Sequence, residues 1–260
     1  MTRYSHLAVL LCALATTASA LAADHEPGSR PERRAQLSLG VVILPANLRV
    51  DDPIPLVVFF HGAKAPASAA SRLGAAVISI SFEANSDPYA AAFAQAGAMP
   101  RLIAEAEAKA GFKAGALVLG CFSAGCGAVR GALRDEAIYE RVQSVLALDG
   151  IYADYRDRAP SENQMEIWLR LAKDAIVGRK QFLVTHTEVE PPNYAGARET
   201  ADWLLSQLNM KRAAAQKPPH LSEAALGAFL VKGFAGIDGP AHFAQLDLIA
   251  GMLQDLLSAN

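Results

Sequence analysis

The sequence contains few cysteines and little excess charge, and both shortages exclude whole classes of protein. Three cysteines among 260 residues are too few for a scaffold held together by disulfides. Lysine and arginine number 24 against 26 aspartates and glutamates, and no basic stripe stands out, so we expect no nucleic-acid partner. Hydrophobic residues make up 52% of the chain and charged residues 19%, which excludes an intrinsically disordered protein.

Signatures of metal and cofactor binding are also missing from the sequence. No cysteine–histidine cluster has the spacing of a zinc site, and no G-x-G-x-x-G or P-loop string occurs. We therefore expect the protein to act without a metal or a cofactor.

The N-terminus has the three parts of a secretory signal. A short start with Arg3 precedes the apolar residues 7–15, and residues 18–22 contain two overlapping A-x-A cleavage patterns. The apolar run is too short to cross a membrane, which takes about 20 residues. We predict a cleaved signal over residues 1–22 and a polar tail over residues 23–35. The mature protein is then exported, to the periplasm or beyond, with no stable membrane insertion.

Short apolar runs alternate with longer helical stretches along the rest of the chain. Residues 56–60 and 142–148 are apolar nearly throughout, which is typical of strands buried on both faces of a parallel sheet. Alternating strands and helices indicate crossover connections and an α/β fold. We predict one domain over residues 36–260, with a mostly parallel central sheet flanked by helices and little or no cap domain. Further strands are predicted at 37–44, 75–82, 116–119, 181–185 and 226–231, and helices at 87–111 (interrupted near Pro100), 124–133, 164–177, 195–211 and 242–257.

The stretch with the most chemical information joins a predicted strand to a predicted helix. Residues 119–126 read Leu-Gly-Cys-Phe-Ser-Ala-Gly-Cys, with Ser123 set between small residues. This stretch resembles the nucleophile elbow of the α/β-hydrolase family, in which a serine on a sharp strand-to-helix turn projects its hydroxyl above the sheet. Gly125 occupies the family's second glycine position, whereas Cys121 stands where the pattern G-x-S-x-G has its first glycine.

The resemblance implies an oxyanion hole beside Ser123. In the family, one backbone N–H comes from the residue after the nucleophile, here Ala124, and another from a loop after an earlier strand. Residues 60–63, Phe-His-Gly-Ala, look like that loop, and Ala63 is its expected donor, with Lys64 as the alternative. Two donors are needed because the tetrahedral intermediate concentrates negative charge on one oxygen. His61 itself is expected to be structural.

A general base and an acid complete the implied triad. The family's chain order is serine, acid, histidine, and a loop with glycine and proline delivers His242 to the start of the last predicted helix. His186 directly follows a predicted strand, and we expect it to be buried and structural. Asp149 ends the strand after the elbow helix and is the expected acid, although most family members place this residue one strand later. That later position leaves Glu188 and Glu190 as alternatives.

Two features near the predicted site stay open at the level of sequence. Cys121 and Cys126 flank Ser123 and either form a disulfide, which requires Cα atoms within about 7 Å, or remain small packing residues. Residues 149–164 are the one loop long enough for a small lid. Its aromatic part, residues 152–155, either lines a substrate pocket or packs at the surface.

The resemblance implies an exported serine hydrolase that cleaves carboxylic esters of small molecules. Ser123 attacks the acyl carbonyl, His242 carries the proton and Asp149 holds the imidazole, so that an acyl-enzyme forms and is hydrolysed. A peptidase or acyltransferase on the same fold is the second hypothesis. A non-catalytic binding protein on a hydrolase scaffold is the third, and the cysteine at position 121 is the residue that favours it.

Overall fold

The computed structural model of the chain describes residues 32–46, 53–62, 74–82, 85–215 and 217–258. The predicted signal at 1–22 lies outside these residues. The strands are β1 (Arg33–Gln36), β2 (Val41–Leu44), β3 (Ile54–Phe60), β4 (Ala76–Ile80), β5 (Ala114–Phe122), β6 (Val142–Leu148), β7 (Tyr155–Arg156), β8 (Ala159–Pro160), β9 (Gln181–His186), β10 (Ala213–Ala214), β11 (His220–Leu226) and β12 (Phe229–Phe234). The helices are α1 (Ser86–Phe93), α2 (Ala98–Ala110), α3 (Cys126–Ala132), α4 (Glu136–Arg141), α5 (Glu162–Ile176), α6 (Ala197–Gln207), α7 (Gly239–Ala244) and α8 (Ile249–Ser258), with single 3₁₀ turns at Ser123–Gly125 and Gln245–Leu248.

One large sheet organises the described part of the chain. Its strand order is β1-β2-β4-β3-β5-β6-β9-β12-β11-β10. The six central strands, from β4 to β12, run parallel, and antiparallel strands cover both edges. The predicted fold class, a mostly parallel sheet flanked by helices, is therefore confirmed.

Side chains alternate between the two faces of the central strands. On β3, Leu56, Val58 and Phe60 belong to the larger buried cluster, which helices α1, α2, α3, α5 and α6 cover. Val57 and Phe59 point to the other face, where they join a second cluster with apolar residues of α8. Burial on both faces explains why the strand sequence is apolar throughout.

The edges of the sheet differ from the sequence prediction. The strand predicted over residues 37–44 is confirmed only for Val41–Leu44, which is β2. Residues 37–40 instead form the turn of an antiparallel hairpin between β1 and β2, in which Gly40 adopts a φ of 94°. The hairpin of β11 and β12 at the opposite side replaces the single strand predicted at 226–231. β1 also begins at Arg33, inside the predicted tail.

The helix predicted over residues 87–111 is divided into α1 and α2. The break falls at residues 94–97, where Gly97 has a φ of 73°, and not at Pro100. Pro100 lies in the first turn of α2, where a missing N–H costs no helical hydrogen bond. Within the described ranges, no helix is long and apolar enough to cross a membrane.

Candidate active site

The predicted site residues meet at one edge of the sheet. Because β5, β6, β9 and β12 are parallel, the loops that follow them share this edge. Ser123 follows β5, Asp149 follows β6, and His242 lies on α7 after the loop that leaves β12. All three residues line a cavity of about 590 Å³. Ligands in open α/β sheets bind outside this edge of the strands.

Ser123 lies on a tight turn that the surrounding residues enforce. Its φ of 50° is in the left-handed region, which is costly for a residue with a Cβ. Two glycines make room for the turn: a Cβ on Gly125 would overlap the Phe60 carbonyl, and one on Gly150 would lie 2.6 Å from the Ser123 nitrogen. The serine is thereby held at the junction of β5 and α3.

A disulfide spans this turn. Cys121 at the end of β5 is bonded to Cys126 at the start of α3, with 5.0 Å between the two Cα atoms. Both side chains are buried. Of the two possibilities left open by the sequence, the structure therefore contains the crosslink.

A hydrogen bond joins the imidazole of His242 to the carboxylate of Asp149. The His242 Nδ1 lies 2.7 Å from the Asp149 Oδ2. An ionised carboxylate only accepts hydrogen bonds, so the proton of a neutral His242 is on Nδ1 and its Nε2 is free to act as an acceptor. This is the tautomer that a general base for a serine requires.

Thr187 fixes the carboxylate of Asp149. Its backbone N–H donates to Oδ1 over 2.9 Å, and its hydroxyl donates to Oδ2 over 2.6 Å. Thr187 is the first residue after β9, the strand position that supplies the acid in most of the resembled family. Asp149, with a φ of 41°, is buried among these donors. Buried carboxylates need such partners because desolvation of an unpaired charge is costly.

The ring of Phe122 contacts two histidines. It stacks on His242 with 4.5 Å between centroids and on His61 with 5.8 Å between centroids. His61 is also held by the Tyr89 hydroxyl, 2.8 Å from its Nδ1, which fits the structural role predicted for it. Burial lowers the pKa of His61, and the nearby charge of a protonated His242 lowers it further.

Tyr152 reaches Ser123 from the loop after β6. Its hydroxyl donates to the backbone oxygen of Asp149 over 2.8 Å. Burial raises the pKa of Tyr152 far above its ordinary value, and a hydrogen bond from the Ser123 hydroxyl opposes that rise. Tyr152 also lines the cavity. Tyr155, from the same aromatic stretch, is exposed and hydrogen-bonds Glu199 instead.

The other sequence candidates are not brought to the site. Glu188 forms an ion pair with Arg198 over 3.4 Å, and Glu190 is exposed. His186 is buried, as predicted, with its Nδ1 2.9 Å from the Thr187 carbonyl oxygen. The predicted oxyanion donor Ala63 lies outside the described residues, whereas Ala124 is buried in the turn directly after Ser123.

The part of the chain that the structure describes contains no group of three or more histidine, cysteine, aspartate or glutamate side chains that could hold a metal. Sequence reasoning missed Thr187, which holds Asp149, and Arg130, which lines the cavity. Thr187 carries no motif, and its contact with Asp149 depends on the pairing of β6 with β9. Arg130 on α3 lines the cavity, and no motif in the sequence marks it as a cavity residue.

Comparison with known proteins identifies the class of fold. No family profile and no curated protein matches the chain. Among solved structures, a mutant of the feruloyl esterase module from Clostridium thermocellum complexed with sinapinate is 10% identical, with 85% of each chain covered and a TM-score of 0.50. DphMB1 is 15% identical, with 88% of this chain and 86% of DphMB1 covered and a TM-score of 0.50. LpqC, a poly(3-hydroxybutyrate) depolymerase from Bordetella parapertussis, is 15% identical, with 83% of each chain covered and a TM-score of 0.49.

These similarities concern the fold. The parallel core, its strand order and its covering helices are those of the α/β-hydrolase fold, which this chain has.

Proposed function

We propose that this chain is an exported serine hydrolase that cleaves carboxylic esters through an acyl-enzyme. The observation that carries the proposal is the 2.7 Å contact between His242 Nδ1 and Asp149 Oδ2, made in the cavity that Ser123 also lines. A serine hydroxyl is a weak nucleophile until a base accepts its proton. An imidazole held by a carboxylate is suited to this at neutral pH.

In the first half of the reaction, Ser123 Oγ bonds to the carbonyl carbon of the ester. Its proton passes to His242 Nε2, and Asp149 stabilises the imidazolium that forms. The imidazolium then gives its proton to the alcohol oxygen, so the C–O bond breaks and the alcohol leaves.

The oxyanion of the intermediate needs backbone donors. The N–H of Ala124 is one proposed donor and the N–H of Ala63 the other. Removing one such donor lowers kcat about 100- to 1,000-fold in a known serine hydrolase.

In the second half, water replaces the alcohol. His242 takes a proton from water, the hydroxide oxygen bonds to the acyl carbon, and the bond to Ser123 Oγ breaks as the serine regains its proton. The products are one carboxylic acid and one alcohol, and one water is consumed.

The disulfide beside Ser123 supports the proposal that the protein is exported. Disulfides persist in oxidising compartments and are rare in the cytosol. The bridge between Cys121 and Cys126 therefore supports the predicted signal over residues 1–22.

Hydrolysis of short-chain 4-nitrophenyl esters by the mature protein tests the proposal. We expect a turnover that falls by at least about 1,000-fold in Ser123→Ala and in His242→Ala, because the triad acts as a unit. Asp149→Asn should retain the fold and lose activity to a similar extent, since the amide favours the wrong imidazole tautomer. Glu188→Gln is the matched control and should hydrolyse the ester at the wild-type rate. Equal rates for the wild type and Ser123→Ala would contradict the proposal.

A further inference from the structure

Arg130 lies on α3 and lines the cavity that Ser123 also lines. Ser123 itself precedes α3, on the 3₁₀ turn Ser123–Gly125. Gly127, three positions before Arg130 on α3, lines the same cavity, so this face of the helix is turned towards it. Because helical side chains lean towards the helix N-terminus, Arg130 leans towards the end of α3 that follows Ser123.

Within the described ranges, the guanidinium of Arg130 donates a hydrogen bond to one neutral group. Its Nη1 donates to the backbone oxygen of Tyr152 over 3.1 Å. Among the described residues, no carboxylate forms an ion pair with it, although arginines 34, 170, 179, 198 and 212 all have one. Arg130 is nevertheless half-buried. Burial lowers its pKa, and repulsion by Arg134 adds to that effect.

Two carboxylates share the cavity with Arg130. Asp154 and Asp87 both line it, and the charge of each raises the pKa of Arg130, which burial and Arg134 lower. Both acids are exposed to solvent, whereas Arg130 is half-buried. The side chain of Asp154 also accepts a hydrogen bond from Gln164 over 2.7 Å. Neither acid forms an ion pair with the guanidinium, so its N–H donors can reach a ligand in the cavity.

We propose that Arg130 binds a carboxylate of the substrate, so that the preferred esters carry an anionic group at a distance from the ester carbonyl. The inference rests on the proposed function, because it concerns the cavity that Ser123 would serve. Arginine suits this task, since its planar fork of N–H donors matches the two oxygens of a carboxylate. Monoesters of short dicarboxylic acids are the simplest compounds with this pattern.

Three 4-nitrophenyl esters, which share the same leaving group and differ in the acyl group, test the inference. They are the butyrate, which is neutral, the glutarate monoester, which is anionic, and the 4-(trimethylammonio)butyrate, which is cationic. The readout is the ratio of kcat/KM for the anionic ester to kcat/KM for the neutral ester. We expect the wild type to favour the anionic ester and Arg130→Gln to lower the ratio about tenfold or more. Arg130→Lys, which keeps the charge but not the fork, should lower it less.

Arg134→Gln is the matched control. It removes the same charge one turn further along, where Arg134 is exposed and hydrogen-bonds Asn163, and it should leave the ratio at the wild-type value. Calorimetric binding of the monomethyl glutarate anion to Ser123→Ala gives a second readout that needs no turnover. We expect binding there and at least about tenfold weaker binding when Arg130→Gln is added.

The outcomes separate the two proposals. If all three esters are hydrolysed and the ratio of kcat/KM is the same in the wild type and Arg130→Gln, the proposed carboxylate site is overturned. The proposal that the protein is a serine hydrolase then stands. Preference for the cationic ester also overturns it, because Asp87 and Asp154 would then govern binding. Loss of all hydrolysis with Arg130-dependent binding of the anion contradicts the proposed function but supports the site.

Discussion

Loss of the Cys121–Cys126 bridge should destabilise both the fold and the turn that carries Ser123. The bridge joins residues five positions apart, and the chain-entropy relation for so short a loop gives about 2 kcal/mol. That is a substantial share of the roughly 5–15 kcal/mol by which domains are stable. The bridge also spans Ser123, whose left-handed backbone costs about 1–3 kcal/mol.

The assay compares oxidised and reduced wild-type protein, so that no side chain changes. Because both sulfur atoms are buried, the protein is reduced in denaturant and refolded with reductant present. Urea titrations then give the free energy of unfolding of each form. We expect the reduced form to be about 2 kcal/mol less stable, with an unchanged m-value. We also expect it to hydrolyse esters more slowly at a temperature at which it is still folded.

Cys121→Ala/Cys126→Ala provides a control that cannot reoxidise. Its stability should not respond to reductant. Equal free energies of unfolding for oxidised and reduced wild-type protein would refute the reasoning, because the crosslink would then contribute nothing.

Three further perturbations follow from the site's packing and charges. Thr187→Val removes the hydroxyl bonded to Asp149 and should lower the free energy of unfolding by about 1.5–3 kcal/mol in urea titrations, whereas Thr187→Ser should restore it. Gly150→Ala places a Cβ 2.6 Å from the Ser123 nitrogen and should cost about 1–3 kcal/mol by overpacking, with a loss of ester hydrolysis; wild-type stability would contradict this. Burial lowers the pKa of His186, so the unfolded chain binds its proton first as the pH falls below about 6.5. Stability should therefore be full above that pH and decline below it, and His186→Gln should flatten the decline if this histidine causes it.

The central strands could be predicted because both of their faces are buried, so that nearly every residue in them is apolar. The limits predicted for β6, residues 142–148, match those of the structure. The edge strands were not predictable in the same way. β1 is largely exposed and polar, and β11 mixes exposed and buried residues, so neither carries an apolar pattern.

The site was partly predictable because its chain order and its strand ends are visible in the sequence. Ser123, Asp149 and His242 each follow a recognisable strand or loop, and the structure brings all three to one cavity. Thr187 was not predictable, because it meets Asp149 only through the pairing of two strands. Arg130 was not predictable as a cavity residue, because its partners depend on how the loop after β6 is placed over α3.

The most direct measurement is intact-mass spectrometry of the exported protein after treatment with a fluorophosphonate, beside Ser123→Ala. An activated serine forms a stable covalent adduct with this probe, whereas an ordinary surface serine does not. We expect one adduct on the wild type and none on the variant, with the mass of the untreated protein corresponding to a chain without residues 1–22. A folded wild type that takes up no probe, or a Ser123→Ala variant labelled as fully as the wild type, would contradict the serine-hydrolase mechanism.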